Sequence, residues 1–369
     1  MNNHFLIFVF TLLALGISNK TSAQSNYKEA SNSFALYSQT GDVKNLENAK
    51  KFIDESYKTK RDSTNSRNIV MRSMIYSSLA YADSTRKIKT DRDPIFIARD
   101  ALNKLKPRDL ENYIAEVSYI KQNLAAAFIY KANKALEAKD YAASYGYFES
   151  VNKLAIKGED VTYNLALLAV KSGKLADAVK YYTEIINRGN STASQHLELA
   201  DVYKMQGEEQ KALTTLETAN TKFPNNKAIL FQLIEEYAAN ESYNAIVPVI
   251  DQAIKFEPEN INLNYLAGYA NESENNLVQA KTYYQKVVQL DPNNYESNLA
   301  LGLLALDQFL KDTMNQEAQY NAQNYLLKAN EIRPYDINAL KSLALYYKTA
   351  DDDAQLDRVN LLLNQLSNN

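Results

Sequence analysis

"HLELADVYKMQGEEQKALTTLETANTKFP", His196 to Pro224, decides the fold. Leu199, Ala200 and Tyr203 lie on one face of a first helix, and Ala212 and Leu216 on one face of a second. Gly207 falls between the two. Pro224 stops the second helix, because proline cannot continue the hydrogen-bond ladder. Two residues on, Asn226 is suited to accept the free N–H groups that open the next helix. The same pairing returns at Pro258 and Asn260, then at Pro292 and Asn294, each 34 residues further along. Pro334 and Asp336 follow after 42, which is one period plus an eight-residue insertion. A period of this size marks a stacked repeat.

Other positions keep the register. Leu165, Leu199, Leu233, Ala267, Leu301 and Leu343 form one series, and the residue after each is small in all but Ile234. Small residues let backbones approach, and the larger ones fill the gaps toward the next unit. These features resemble the tetratricopeptide repeat, whose pattern is W-x2-L-G-x2-Y, then A-x3-F, then P. The tryptophan is missing throughout, since the chain has none. The resemblance implies an all-α fold: a right-handed superhelical solenoid of stacked antiparallel helix pairs. Units are expected near 125–158, 159–192, 193–226, 227–260, 261–294, 295–336 and 337–369. The last carries a capping helix with Leu356, Val359, Leu362, Leu363 and Leu366 along one stripe. The insertion falls in 303–323 and is expected to lengthen both helices of its unit and the turn between them.

Residues 24–124 read as a helical lead-in. "LENAKKFIDES" (Leu46 to Ser56) and "RNIVMRSMIYSSLA" (Arg67 to Ala80) resemble degenerate repeats of exported Bacteroidota proteins of this family. Val70, Met74, Ser77 or Ser78, and Tyr81 are expected along one face. "KTKRDSTNSR" (Lys58 to Arg67) and "DSTRKIKTDRD" (Asp83 to Asp93) read as polar, mobile connections. Asp62-Ser63-Thr64, Asp83-Ser84-Thr85 and Asp312-Thr313-Met314 match the short pattern that such exported proteins use for O-glycosylation.

Residues 1–23 read as a signal peptide. Phe5 to Ile17 is an apolar run too short to span a bilayer, and Thr21-Ser22-Ala23 offers small residues for cleavage before Gln24. Export is therefore expected, most simply to a bacterial periplasm, with no membrane insertion after cleavage. The chain has no cysteine, so neither a disulfide nor a thiolate metal site can form. Its 41 basic and 44 acidic residues nearly balance, which gives no basic field for nucleic acid.

The two histidines leave little room for catalysis. His4 lies in the signal, and His196 occupies a packing position of its repeat. No phosphate-binding glycine loop and no H-E-x-x-H motif is present. No catalytic residue, cofactor or metal is expected, and the expected role is non-enzymatic.

The resemblance implies a concave groove lined by the first helix of each unit. Residues two before and two after the leucine series should face it, including Tyr163, Asp201, Phe231, Glu235, Tyr265 and Tyr269. Leu197, Leu299, Leu303, Lys341 and Leu345 share the register. An aromatic strip flanked by acidic groups suits a peptide or helix with apolar anchors and some positive charge. The Lys, Asn and Arg set with which the better-known members grip a chain terminus is not found. A protein-binding scaffold of the cell envelope is thus the first expectation. A carrier for oligosaccharide or envelope polymer is the second, and a carboxylate-pair glycan hydrolase the weakest.

Overall fold

The computed structural model describes residues 22–155 and 159–367, and those residues contain helices without strands. The apolar run Phe5 to Ile17, read above as an export signal, lies outside them. The chain divides into two units, one ending at Ser191 and the other beginning at Thr192.

The first unit holds α1 (Ser22–Thr40), α2 (Val43–Ser56), a short α3 (Lys60–Ser63), α4 (Ser66–Ala82), α5 (Pro94–Leu102), a short α6 (Pro107–Asn112), α7 (Ile114–Glu137), α8 (Tyr141–Lys153), α9 (Glu159–Lys171) and α10 (Leu175–Asn187). Four antiparallel pairs result: α1 with α2, α4 with α5, α7 with α8, and α9 with α10. Each pair leans on the next, so burial comes from stacking rather than from one central core. The 3- and 4-residue spacing of Ile114, Val117, Ile120, Leu124 and Phe128 keeps α7 continuous past residues 124 and 125, where the sequence suggested that the lead-in gives way to regular repeats.

Helix α4 departs from the expected single face. Residues Asn68 to Met71 and Ser73 to Ala80 are all buried, because α2, α5 and α7 enclose the helix. Tyr81, placed on the buried face by the sequence, is instead 54% exposed beyond the contact. Serines inside the helix are satisfied locally or across it. Ser73 donates to the carbonyl of Ala98 at 2.8 Å, and Ser78 to that of Met74 at 2.8 Å.

The connection 83–93 is held in place, contrary to its reading as mobile. Asp83 is buried, and its carboxylate accepts the N–H groups of Lys87 at 2.9 Å and Ile88 at 2.8 Å. Arg86 turns back with φ of 58° and donates to the carbonyl of Ala80 and to Asp93, which Lys131 also holds at 2.5 Å. The segment looked mobile because it is polar. Three of its polar side chains, those of Asp83, Arg86 and Asp93, turn inward to partners, while Lys87, Lys89, Asp91 and Arg92 stay exposed.

The second unit holds α11 (Ala193–Met205), α12 (Glu209–Lys222), α13 (Lys227–Ala239), α14 (Tyr243–Ile254), α15 (Ile261–Ser273), α16 (Leu277–Leu290), α17 (Tyr295–Lys311), α18 (Gln316–Ile332), α19 (Ile337–Thr349) and α20 (Asp353–Ser367). They pair in order, α11 with α12 through α19 with α20, and each second helix meets the next first helix. The expected caps are made. Asn226, Asn260 and Asn294 accept the N–H groups of Ile229, Leu263 and Ser297 at 2.9–3.1 Å, and Asp336 accepts two. Each such cap contributes about 1 kcal/mol.

One periodic feature was not foreseen. Left-handed backbone recurs at the turn between paired helices: Lys139 and Gly173 in the first unit, Gly207, Glu241 and Asn275 in the second, with φ of 54–73°. Asp351 continues the series after the longer repeat, with φ of 52°. The sequence signalled this position only where glycine fills it.

The eight inserted residues divide as four in the first helix, one in the turn and three in the second helix. Both α17 and α18 have 17 residues, where α15 has 13 and α16 has 14. Three or four residues are close to one helical turn, so each helix grows with little rotation of its buried face. Phe309 fills the added space against Tyr346, ring centres 5.8 Å apart.

Candidate binding surface

Within the second unit, the first helix of each pair keeps one side buried and leaves a strip open. Leu199, Leu233, Ala267, Leu301 and Leu343 are buried as the register requires. On the opposite flank Tyr269, Leu303 and Leu345 are 40–44% exposed. An apolar side chain left open in the same repeat position three times is unlike the scattered exposure usual on a surface.

The strip has an aromatic centre on α15. Tyr265 and Tyr269 stack with ring centres 6.4 Å apart at 25°. Tyr243, from the start of α14, stands edge-on to Tyr269 at 4.9 Å. Tyr284 on α16 underlies Tyr265 at 5.8 Å, and its hydroxyl donates to Glu272 Oε2 at 2.7 Å. Burial, and then the charges of Glu296, Tyr269 and Glu272, raise the Tyr265 phenol above its ordinary value. Burial and Tyr269 do the same for Tyr243. These hydroxyls stay neutral at physiological pH, so the rings offer π faces and hydrogen bonds rather than charge.

The other expected residues fall as follows. Phe231 on α13 is half-buried, with the Lys227 ammonium 5.4 Å from its ring centre. Asp201 on α11 is exposed and accepts a hydrogen bond from Gln232 at 2.7 Å. Glu235 is exposed and makes no ion pair among the described residues. Its neighbour Glu236 is buried and binds Lys204 at 2.5 Å, tying α13 to α11. That hydrogen bond raises the Lys204 ammonium above its usual value. Tyr163 belongs to the first unit, where its ring meets Tyr182 edge-on at 6.4 Å. The structure therefore brings Tyr265 and Tyr269 together and sets Tyr163 in a separate aromatic pair.

Sequence reasoning missed Tyr243, Gln232 and the Lys204–Glu236 pair. Tyr243 opens a second helix, outside the first-helix register, and carries no repeating signal. The ion pair joins residues 32 apart, near one period, and a search for opposite charges at that offset would have found it.

The first unit has its own concavity, about 720 Å³, between the end of α5 and the start of α7. Leu102, Leu105, Leu110, Ile114 and Val117 line it, together with Lys121. Of the three Asp-Ser/Thr motifs, Thr64, Thr85 and Thr313 are exposed, while Ser63 and Ser84 are half-buried. Among the described residues no helix is long and apolar enough to cross a membrane.

Comparison with known proteins agrees with the repeat register. Two family models, each described as a tetratricopeptide repeat, match residues 261–294 and 196–226. A TPR repeat-containing protein of Pseudomonas aeruginosa is 28% identical over 183 residues, 49% of this chain. The chain spans 30% of that relative's length. Among solved structures, the C-terminal part of a TPR repeat-containing protein from Cytophaga hutchinsonii is 16% identical, covers 64% of this chain and 93% of its own, and has a TM-score of 0.43. A MamA fragment from Desulfovibrio magneticus is 17% identical, with 48% and 97% covered and a TM-score of 0.35. The turn prolines, the caps and the two family matches make one statement: the chain carries tetratricopeptide repeats.

Proposed function

We propose that this protein is a non-enzymatic interaction scaffold whose second unit holds a peptide or helix of a partner protein on its first-helix face. The observation that carries this reading is the open strip of Tyr269, Leu303 and Leu345 on helices whose other side is buried. Aromatic and aliphatic anchors in such a strip supply most of the binding energy in helix-in-groove recognition, about 2 kcal/mol or more for a dominant residue. The exposed Glu235 adds negative charge beside it.

The working location we propose is the bacterial periplasm, after removal of residues 1–23. The apolar run Phe5 to Ile17, the small residues before Gln24 and the absence of cysteine support it. Fractionation of cells producing the tagged chain tests the location, and retention in the cytosol with Phe5 to Ile17 intact would refute it.

Partner capture from an envelope fraction tests the scaffold. A protein retained in fixed ratio by the wild-type chain, and lost with Tyr269→Ala plus Leu303→Ala at unchanged helical content, is the expected result. Undiminished capture by the double variant removes the first-helix face from the account. Recovery of glycan without protein turns the reading to a carrier.

A further inference from the structure

Elsewhere in this chain, aromatic rings commonly carry an internal cation. Arginine or lysine heads lie 4.1–5.9 Å from the ring centres of Tyr27, Tyr57, Tyr76, Tyr203, Phe231 and Tyr295. Among the described residues no lysine or arginine lies over Tyr243, Tyr265 or Tyr269, although Tyr269 is exposed and the other two are half-buried beside it. Their surroundings are acidic. The carboxylates of Glu272 and Glu296 act on Tyr265, and that of Glu241 acts on Tyr243. Glu296 is shared with Arg333 at 2.7 Å, and Glu272 accepts the Tyr284 hydroxyl. Glu241 is exposed in the left-handed turn before α14 and makes no ion pair among the described residues.

We propose that Tyr243, Tyr265 and Tyr269 seat the guanidinium of an arginine presented by the bound partner, with Glu241 beside it. Two stacked faces and one edge-on ring in a field of carboxylates favour a cation that is planar and weakly hydrated. Arginine meets both conditions better than lysine. The proposal rests on the peptide-binding reading above and deepens it. It gives the partner segment a positive residue flanked by apolar ones, the latter covering Leu303 and Leu345.

The test uses the full chain carrying 3-fluorotyrosine, with fluorine signals assigned through Tyr→Phe variants. The probes are acetyl-Leu-Ala-Arg-Ala-Leu-amide and its citrulline counterpart, which has the same shape without the charge. The arginine probe is expected to shift the Tyr243, Tyr265 and Tyr269 signals saturably. The citrulline probe should need roughly tenfold higher concentration, the scale of a partly desolvated cation–π contact. Glu241→Gln should weaken the arginine probe several-fold at unchanged helical content, and Tyr269→Ala should abolish the shift. Equal binding of the two probes on the same rings overturns the cation seat while leaving the peptide face standing. No shift of these rings with either probe overturns the seat and removes the face with it. A lysine probe that binds as tightly as the arginine one overturns the choice of arginine.

Discussion

The ring of Tyr284 fills the space that a side chain at residue 268 would occupy. A Cβ built on Gly268 would sit 2.6 Å from Tyr284 Cε1. The ring is not free to withdraw, because its hydroxyl is bound to Glu272 and its face supports Tyr265. Gly268→Ala is therefore expected to lower stability by about 1–3 kcal/mol through overpacking. Adding Tyr284→Leu, which reproduces the pairing of Ala200 with Leu216 at the same two repeat positions, should recover part of the loss. Urea unfolding followed by circular dichroism measures both, and a single variant as stable as wild type would refute the contact.

Asn298 makes a second local prediction. Its side chain is buried and its Nδ2 donates to the carbonyls of Pro292 at 3.1 Å and Asn294 at 2.7 Å. Asn264 does the same one repeat earlier, to Pro258 and Asn260. Asn298→Ala leaves two turn carbonyls without their donor and should cost about 1–3 kcal/mol in the same unfolding assay. Asn298→Asp should be at least as damaging, since a carboxylate offers no donor.

The left-handed turn position offers a stabilising change. Lys139 is exposed with φ of 58°, a conformation that disfavours any residue with a Cβ. Lys139→Gly removes that strain but loosens the unfolded chain, for a net gain of about 0.5 kcal/mol. Gly207→Ala, at φ of 73°, should lose about 1 kcal/mol. Opposite signs for the two substitutions are the outcome that supports the account, and thermal midpoints decide it.

His196 gives the chain a pH response. Burial, and then the nearby Lys222 charge, lower its imidazole below the ordinary value, and its ring meets Phe223 edge-on at 5.8 Å. The unfolded chain takes up a proton near pH 6.5, while the folded chain resists it. The contribution is whole above about pH 6.5 and is lost as pH falls below that value toward the lowered folded one. Wild type should thus melt earlier at pH 5.5 than at pH 7.5, and His196→Phe should show a smaller difference. An equal difference in both proteins would assign the effect to other groups.

Much of this architecture can be read from spacing alone. Prolines, caps and the leucine series set where helices begin, end and bury themselves, because those roles depend on residues near in sequence. The left-handed turns were legible at Gly173 and Gly207 and hidden at Lys139 and Glu241, where the neighbouring helices impose a conformation the residue itself disfavours; Asn275, a residue type that tolerates this backbone, was the signal passed over. The binding strip was legible for Tyr265 and Tyr269, one turn apart on α15. Tyr243 reaches the same cluster through the fold of a hairpin, which no one-dimensional period encodes. Connection 83–93 misled for a related reason: Arg86 meets Asp93 only after the chain has turned at Arg86.

The sharing of the insertion among α17, the turn and α18 makes hairpin height adjustable in steps. Close to one extra turn on each arm raises that hairpin by about 5–6 Å and hands the next repeat its docking face little changed. Trimming four residues from α17, one from the turn and three from α18 should return the unit to ordinary height with its neighbours undisturbed. Trimming a single arm would leave its partner's added turn uncovered and Phe309 without a wall.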